Sequence, residues 1–273
     1  PAHGQTPAQG ATQAAAPGPA GSGSTITLAG STSVQPLAEK LAAAFMKANP
    51  HVRIDVQGGG SSVGVRAAGE GTVNIGNSSR EVRPEELEMY PKMKVFKICL
   101  DAIAVIVHPD NPVTGLTTAQ VADIYSGAIT NWKQVGGEDK EILVVAREEG
   151  SGTRDFFQEH FLVQKQIMPT AILQASSGAV RQTVAEQGVG APRKSFIGFV
   201  SVGYIDDSVK GLMLDGVEPT AENVYAGTYQ AVRAFYMLTP DEPQGVVKEF
   251  LDFVLGPEGQ QIVDANRYYR VNP

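Results

Sequence analysis

The most restrictive feature of this 273-residue sequence is a pattern that occurs three times: a strand-like run, a turn rich in glycine and hydroxyl residues, and a helical pattern. Alternation of strands and helices is typical of an α/β fold. In such a fold, turns of this kind gather at the carboxyl ends of the strands, where ligands bind. The three turns are Ser31-Thr32-Ser33, Gly60-Ser61-Ser62 and Gly150-Ser151-Gly152-Thr153.

Hydrophobic periodicity around the turns predicts the individual elements. After the first turn, Leu37, Leu41 and Phe45 recur every fourth residue, which predicts a helix that runs to about Ala48. The alternating segment 52–56 has the period of a strand. Further strands are predicted at 25–28, 73–76, 95–107, 142–146, 196–204 and 229–238, and helices at 118–125, at 154–161 and in a C-terminal pair.

Bulk properties exclude several classes of protein. No apolar run approaches the about 20 residues needed to span a membrane, so a soluble protein is expected. The net charge is −7 and no Lys/Arg cluster indicates a nucleic-acid partner. The single cysteine, Cys99, is interpreted as a core residue, and the four histidines are scattered, so neither a metal nor a cofactor is expected.

Residues 1–24 are dominated by Pro, Ala, Gly, Gln and Ser and contain no large apolar side chain. Such a segment buries too little surface to offset its ordering entropy, so we interpret it as a flexible tether. The chain begins without a charged and apolar leader, and a signal peptide is expected to be already removed or absent. A lipoprotein spacer would have this composition, with the anchoring cysteine outside the sequence.

The three turns have the chemistry of an anion site. A helix N-terminus presents unpaired N–H groups and a partial positive charge, hydroxyls add donors, and glycine permits close approach of the main chain. Arg147, directly before the third turn, adds a planar fork suited to a tetrahedral oxyanion. Helix capping is the more common explanation of any single turn, because Ser and Thr are favoured N-caps everywhere. For three such turns, each with more glycine than capping needs, an anion site and capping explain the pattern equally well.

Two enzyme classes were compared with these turns. Residues 60–64 match G-x-S-x-G, the nucleophile elbow of serine hydrolases, with Ser62 as the nucleophile. The downstream histidines, His108 and His160, do not have the setting of a catalytic triad, so the hydrolase is the weaker hypothesis. None of the turns carries the G-K-[S/T] ending of a nucleotide-binding P-loop.

Between residues 25 and 273, six segments resemble the phosphate-binding family of ABC importers in order and spacing. Each segment is weakly specific alone, and together they are highly specific. They are A-G-S-T-S-V-Q-P-L at 29–37, Q-G-G-G-S-S-V-G at 57–64, I-G-N-S-S-R-E at 75–81, R-E-E-G-S-G-T-R at 147–154, S-G-A-V-R-Q at 177–182 and I-G-F-V-S-V-G-Y-I at 197–205.

The resemblance implies a type II periplasmic-binding-protein fold: two α/β lobes joined by two crossing strands, with the ligand between them. Lobe I is expected to contain 25–99 and 205–273, and lobe II 100–204, with crossings near 100–107 and 199–204. Glu149 occupies the position of an acidic residue that could hold Arg147. The phosphate contacts implied by the motifs are Thr32, Ser33, Ser61, Ser79, Arg147, Ser151, Gly152 and Thr153.

Ser79 departs from the longer enterobacterial form of the family, which has at this position an aspartate that accepts the proton of hydrogen phosphate. Serine accepts a hydrogen bond more weakly, and Arg80 could add positive charge. The resemblance therefore does not identify the basis of phosphate-over-sulfate selectivity in this sequence. An insert at 188–194 has no functional interpretation.

The resulting hypothesis is a non-enzymatic, monomeric receptor that binds inorganic phosphate outside the cytoplasm, in the periplasm or tethered to the cell surface. It would deliver the ion to the membrane permease of an ABC importer. Three alternatives remain: a receptor of the same fold for sulfate, molybdate or tungstate, a sensor or scavenger without a transporter, and a serine hydrolase.

Overall fold

A computed structural model of the chain describes residues 23–186 and 195–271. Most of the predicted tether and the insert at 188–194 lie outside these described residues. The first strand begins at Ser24, which pairs with Val52. The predicted tether therefore includes one residue too many, because Ser24 already belongs to the sheet.

The secondary structure alternates between strands and helices. The strands are β1 (Ser24–Gly30), β2 (Val52–Gly58), β3 (Ile75–Ser78), β4 (Lys94–Val107), β5 (Gly115–Leu116), β6 (Leu143–Arg147), β7 (Ile172–Gln174), β8 (Phe196–Ser201), β9 (Lys210–Gly211), β10 (Met213–Leu214) and β11 (Val232–Thr239). The α-helices are α1 (Gln35–Ala48), α2 (Ser61–Gly69), α3 (Pro84–Met89), α4 (Thr118–Ser126), α5 (Gly152–Phe157), α6 (Ser177–Glu186), α7 (Ala221–Tyr225), α8 (Gly245–Leu255) and α9 (Pro257–Ala265). Helix α5 continues into a π-helical turn, Gln158–Leu162, and 3-10 turns occupy Trp132–Val135 and Val202–Tyr204.

The periodicities predict α1 and β2 correctly because each has one buried face. Leu37, Leu41 and Phe45 are all buried on one side of α1. Val52 and Ile54 are buried on β2, whereas Arg53 between them is exposed. The predicted strand 196–204 is shorter than expected, since the backbone turns into a 3-10 helix after Ser201.

Among the described residues, nine strands form one continuous sheet in the order β2-β1-β3-β11-β4-β8-β6-β7, with β9 also paired to β4. Strands β1, β2 and β3 are mutually parallel at one end, and β6 is parallel to β7 and β8 at the other. Strand β4 joins the two halves, since residues 94–102 pair with β11 and 103–107 pair with β8. The carboxyl ends of the two parallel sets face each other.

The two largest hydrophobic cores of the described residues divide the fold into two lobes. The first core lies between the β1–β3 half of the sheet and helices α1, α8 and α9. The second core surrounds residues 102–107 of β4, together with β6, β8, α4 and α6. We call the parts around these cores the first and the second lobe.

The chain returns to the first lobe later than the sequence predicts. Residues 205–273 were all assigned to that lobe, but Val209, Leu212 and Tyr229 are buried in the second core. Tyr229 donates a 2.6 Å hydrogen bond to the carbonyl of Ile103. The second crossing is therefore the start of β11 and not 199–204, because β8 pairs with β4 inside the second lobe.

Candidate functional site

Turns that carry hydroxyl groups follow the carboxyl ends of five strands and meet at the junction of the lobes. Strands β1, β2 and β3 lead into residues 31–33, 59–61 and 78–80 of the first lobe. Strands β6 and β7 lead into 148–153 and 175–177 of the second lobe. The sheet topology thus produces the convergence that the three predicted turns require.

Ser33 is the centre of a hydroxyl cluster that connects the lobes. Its Oγ shares hydrogen bonds of 2.7 Å with Thr153 Oγ1 and 2.9 Å with Ser177 Oγ. The neighbouring Thr32 accepts a 3.3 Å hydrogen bond from the backbone N–H of Ser177, and its carbonyl accepts one from the Tyr204 hydroxyl. Predicted residues of the first and third turns are therefore in direct contact.

A second hydroxyl cluster surrounds Ser79. Its Oγ accepts a 2.9 Å hydrogen bond from Ser31 Oγ and shares one of 3.2 Å with Ser61 Oγ. Ser61 Oγ also accepts a 3.0 Å hydrogen bond from the backbone N–H of Ser79. All three serines are buried, so these groups lie at the junction and not at its rim.

Two glycines permit the lobes to approach closely. A Cβ at Gly152 would lie 2.3 Å from Ser61 Oγ, and a Cβ at Gly60 would lie 2.8 Å from the carbonyl oxygen of Gly150. The backbone N–H of Ser62 donates a 3.1 Å hydrogen bond to the same Gly150 carbonyl across the junction. Glycine at 60 and 152 therefore permits contact between the lobes, and Gly60 is also the N-cap residue of α2.

Ser151 has the capping role that the sequence analysis left open. Its Oγ accepts a 3.2 Å hydrogen bond from the backbone N–H of Arg154 and so begins α5. The hydroxyl hydrogen remains a donor. The structure thus brings together all eight residues predicted as ligand contacts, and each of them is buried.

Arg147 is buried, with 2% of its surface exposed, and is held by the second lobe. Its Nε and Nη2 donate to the carbonyls of Gln174 and Ala175, both at 3.1 Å, and its Nη1 donates to Ser177 Oγ at 3.1 Å. Burial, assisted by the positive charge of Arg233, lowers the pKa of Arg147 to about 10, which leaves it cationic at neutral pH. Glu149 is exposed, and the expectation that it holds Arg147 is wrong for these three donors, because main-chain carbonyls accept two of them.

An arginine that the motifs do not identify also reaches the site. Arg233 of β11 donates through Nη1 to Thr153 Oγ1 at 2.9 Å and through Nε to Asp101 of β4 at 3.0 Å. Asp101 is fully buried and accepts a 2.6 Å hydrogen bond from Ser201 Oγ. The available signal in the sequence was a charged residue inside each of two apolar strands, since buried charges require partners.

Arg80 does not add an uncommitted positive charge to the site. It is paired with Glu86 at 2.7 Å and with Asp155 at 3.1 Å, and Arg83 reaches the same Asp155 at 2.8 Å. Because Arg80 and Arg83 belong to the first lobe and Asp155 to the second, these ion pairs connect the lobes beside the hydroxyl clusters. The expectation that Arg80 supplies charge to the ligand is wrong, since two carboxylates already neutralise it.

The setting of Ser62 is unlike that of a hydrolytic nucleophile. Its Oγ accepts a 3.2 Å hydrogen bond from Nη2 of Arg80. A guanidinium carries only donors and cannot take the serine proton as a general base. His160 stacks on Phe156 instead, with ring centroids 5.3 Å apart.

Neither a metal cluster nor a membrane-spanning helix is found in residues 23–186 and 195–271. These residues contain no group of three or more His, Cys, Asp or Glu side chains that could hold a metal ion. None of their helices has the length and apolar character needed to cross a bilayer.

Taken together, the ionisable groups buried at the junction favour a small anion. Among the described residues, the ion pairs of Arg80 and Arg83 are balanced by two carboxylates. Arg147 and Arg233 carry two further positive charges against one carboxylate, Asp101, which leaves an excess of positive charge. Hydroxyl groups from both lobes surround them and can donate to oxygen atoms of a ligand. Such donors, enclosed between two lobes, suit an oxyanion that accepts from every direction.

Comparison with known proteins also leads to proteins that bind a small anion. The sequence model of the PBP superfamily domain matches residues 6–258. The phosphate-binding protein PstS of Bacillus subtilis is 34% identical over 247 residues, which cover 89% of this chain and 79% of that protein. PstS of Pseudomonas aeruginosa PAO1 is 31% identical over 270 residues, covering 89% of this chain and 82% of that protein.

Solved structures agree with these sequence relatives. An X-ray structure described as a phosphate ABC transporter substrate-binding protein of Clostridium perfringens, with bound phosphate, matches with a TM-score of 0.84 at 40% identity, covering 91% of this chain and all of that one. An ABC-type phosphate transport receptor from Vibrio cholerae matches with a TM-score of 0.71 at 33% identity, covering 90% and 100%. The matched proteins are substrate-binding proteins, a class that is not enzymatic. The chain therefore has the two-lobed type II periplasmic-binding-protein fold, and it belongs to the PstS family of phosphate-binding proteins within the PBP superfamily.

Proposed function

We propose that this protein binds one inorganic phosphate ion between its two lobes and delivers it to the membrane permease of an ABC importer. The observation that carries the proposal is the burial of Arg147 among hydroxyl groups supplied by both lobes. A cation in such a place has a functional explanation in an anionic ligand, because its own hydrogen bonds go to neutral groups.

Binding would proceed by hydrogen bonding and charge compensation. The contacts of Arg147 with two carbonyls fix the plane of its fork before the ligand arrives, which reduces the entropy lost on binding. In the structure the hydroxyls of Ser33, Thr153 and Ser177 are bonded to one another, so the lobes must part to admit an ion between them. The proposed contacts are Thr32, Ser33, Ser61, Ser79, Arg147, Ser151, Gly152 and Thr153.

Phosphate is favoured over a fully ionised oxyanion because the site contains hydroxyls that can also accept. Hydrogen phosphate carries one proton that needs an acceptor, and Ser79 lies in a cluster of hydroxyls able to serve as either donor or acceptor. A receptor for sulfate, molybdate or tungstate remains the competing assignment for the same geometry.

The test is calorimetric titration of protein stripped of copurified ligand against phosphate, sulfate, molybdate and tungstate. We expect one phosphate per chain. Arg147→Ala should weaken phosphate binding by about 2–5 kcal/mol, because the buried anion would lose its buried cationic partner. Arg53→Ala, which removes an exposed arginine from β2, is the control and should bind like the parent. Equal phosphate affinity of the Arg147 variant and the parent would exclude this site, and sulfate bound as tightly as phosphate would favour a general oxyanion receptor.

The proposal also assigns the segments of the chain to the two lobes. We place residues 23–99 and 233–271 in the first lobe and residues 102–186 and 195–231 in the second, with β4 and β11 as the hinge. The protein acts as a monomer outside the cytoplasm, in the periplasm or held at the surface by a lipid anchor that precedes the tether. It performs no catalysis, and a role as sensor or scavenger would use the same binding site.

A further inference from the structure

Arg233 has buried hydrogen-bonding capacity that the fold does not use. Only 6% of its surface is exposed, and its Nε and Nη1 are occupied by Asp101 and Thr153. Its Nη2 is buried and has no hydrogen-bond partner within the described residues. An unpaired donor on a buried guanidinium is costly, so a partner from outside the chain is expected to meet it.

The position of Arg233 indicates what that partner is. Thr153 Oγ1, which accepts from Arg233, also bonds to Ser33 Oγ at 2.7 Å. Ser33 in turn bonds to Ser177, which accepts from Arg147. Arg147 and Arg233 therefore bond to the two ends of one chain of hydroxyls, and the positive charge of Arg233 contributes to the lowered pKa of Arg147.

Asp101 positions the guanidinium of Arg233 and is not an uncommitted hydrogen-bond acceptor. Its two carboxylate oxygens are occupied, one by Ser201 Oγ and the other by Arg233 Nε. The two residues are paired across β4 and β11 in the sheet. The Nε contact with Asp101 fixes the plane of the guanidinium, and Nη1 meets the hydroxyl cluster at Thr153.

We propose that Arg233 is a second cationic contact of the bound oxyanion, and that Asp101 is its positioning residue. The inference rests on the proposed function, since it assigns a contact within the same site. It differs from the motif-based contacts in origin: Arg233 lies on a crossing strand, so the ion would be held by both lobes and by the hinge between them. The bound charge is then shared by two guanidiniums.

The experiment measures phosphate affinity by calorimetry for the parent and for Arg233→Gln, below and above the second ionisation of phosphate. We expect at least about a tenfold loss of affinity in the variant. The loss should be larger for the dianion than for the monoanion, because the missing positive charge interacts with twice the negative charge. A residue with a purely structural role would not change this ratio. Arg181→Gln is the control, because it removes an equal charge from a partly exposed arginine that pairs with Asp206.

Arg233→Gln leaves the carboxylate of Asp101 unpaired, which could destabilise the fold and weaken binding indirectly. A second variant separates these two effects. Arg233→Gln combined with Asp101→Asn removes both charges, and its fold is checked by circular dichroism and thermal unfolding. It too should bind phosphate at least about tenfold more weakly than the parent. If the folded double variant binds as tightly as the parent, Arg233 is only a structural ion-pair partner and this inference is overturned while the proposed function stands. A parent that binds no oxyanion would overturn both.

Discussion

Replacing Gly152 by alanine adds one methyl group where the two lobes touch and leaves the backbone N–H in place. The new Cβ would lie 2.3 Å from Ser61 Oγ and 2.9 Å from Ser61 Cβ, compared with 3.4–4 Å for an ordinary contact. Ser61 cannot easily move, because its Oγ accepts a hydrogen bond from the backbone of Ser79. The lobes must therefore separate by about 1 Å at this contact, in an interior that is close-packed.

Overpacking of this kind costs about 1–3 kcal/mol. Since the cost arises only when the lobes meet, it should appear in the closed, ligand-bound state. We expect the dissociation constant for phosphate to rise by about 5- to 150-fold, measured by calorimetry. The stability of the phosphate-free protein should change by less than about 0.5 kcal/mol.

The matched control is Gly178→Ala, whose Cβ would meet no atom closer than 3.8 Å although it follows Ser177 of the same cluster. This variant should bind phosphate like the parent. The reasoning is refuted if Gly152→Ala also binds like the parent. It is equally refuted if the variant loses as much stability without phosphate as with it, since the contact would then belong to the ligand-free fold.

Four further predictions concern closure, selectivity and catalysis. Asp155→Asn removes the carboxylate that Arg80 and Arg83 share across the lobes, so phosphate affinity should fall by about fivefold in calorimetry, and an unchanged value would show that these ion pairs do not stabilise closure. Small-angle scattering should give a smaller radius of gyration with phosphate than without it, and equal radii would mean that the site is preformed. Ser79→Asp should widen the phosphate-over-sulfate ratio in competition binding at neutral pH, because a carboxylate repels the fully ionised anion, and an unchanged ratio would place the acceptor elsewhere. Serine-directed probes should leave Ser62 unlabelled, and stoichiometric labelling would revive the hydrolase hypothesis.

Much of the fold could be predicted from the sequence because the signals are local. The spacing of Leu37, Leu41 and Phe45 reports the buried face of a helix, and the alternation at 52–56 reports a strand that is buried on one side. The glycine and hydroxyl turns were identified for the same reason, since a strand, a turn and a helix start lie within a few residues. Their convergence followed from the rule that parallel strands present their carboxyl ends at one edge.

The misassigned lobe boundary shows where local signals stop. Residues 205–231 contain short strands and a helix whose periodicity is compatible with either lobe. Their burial in the second core depends on β9 pairing with β4 and on the hydrogen bond from Tyr229 to Ile103. The topology of the sheet decides which core an amphipathic segment covers. The sequence of the segment does not predict this choice.

The charged residues of the site show the same difference between local signals and long-range packing. Local sequence is enough to show that Arg147 follows an apolar, strand-like run and precedes a turn rich in hydroxyl groups, and this position predicts that it reaches the candidate site. Long-range packing, in contrast, pairs Arg80 with Glu86 and Asp155. It also brings Arg233 beside Asp101, 132 positions away in the chain. The physical reason is that a charge in an apolar strand must find a partner when it is buried, but the identity of that partner depends on which strands lie side by side.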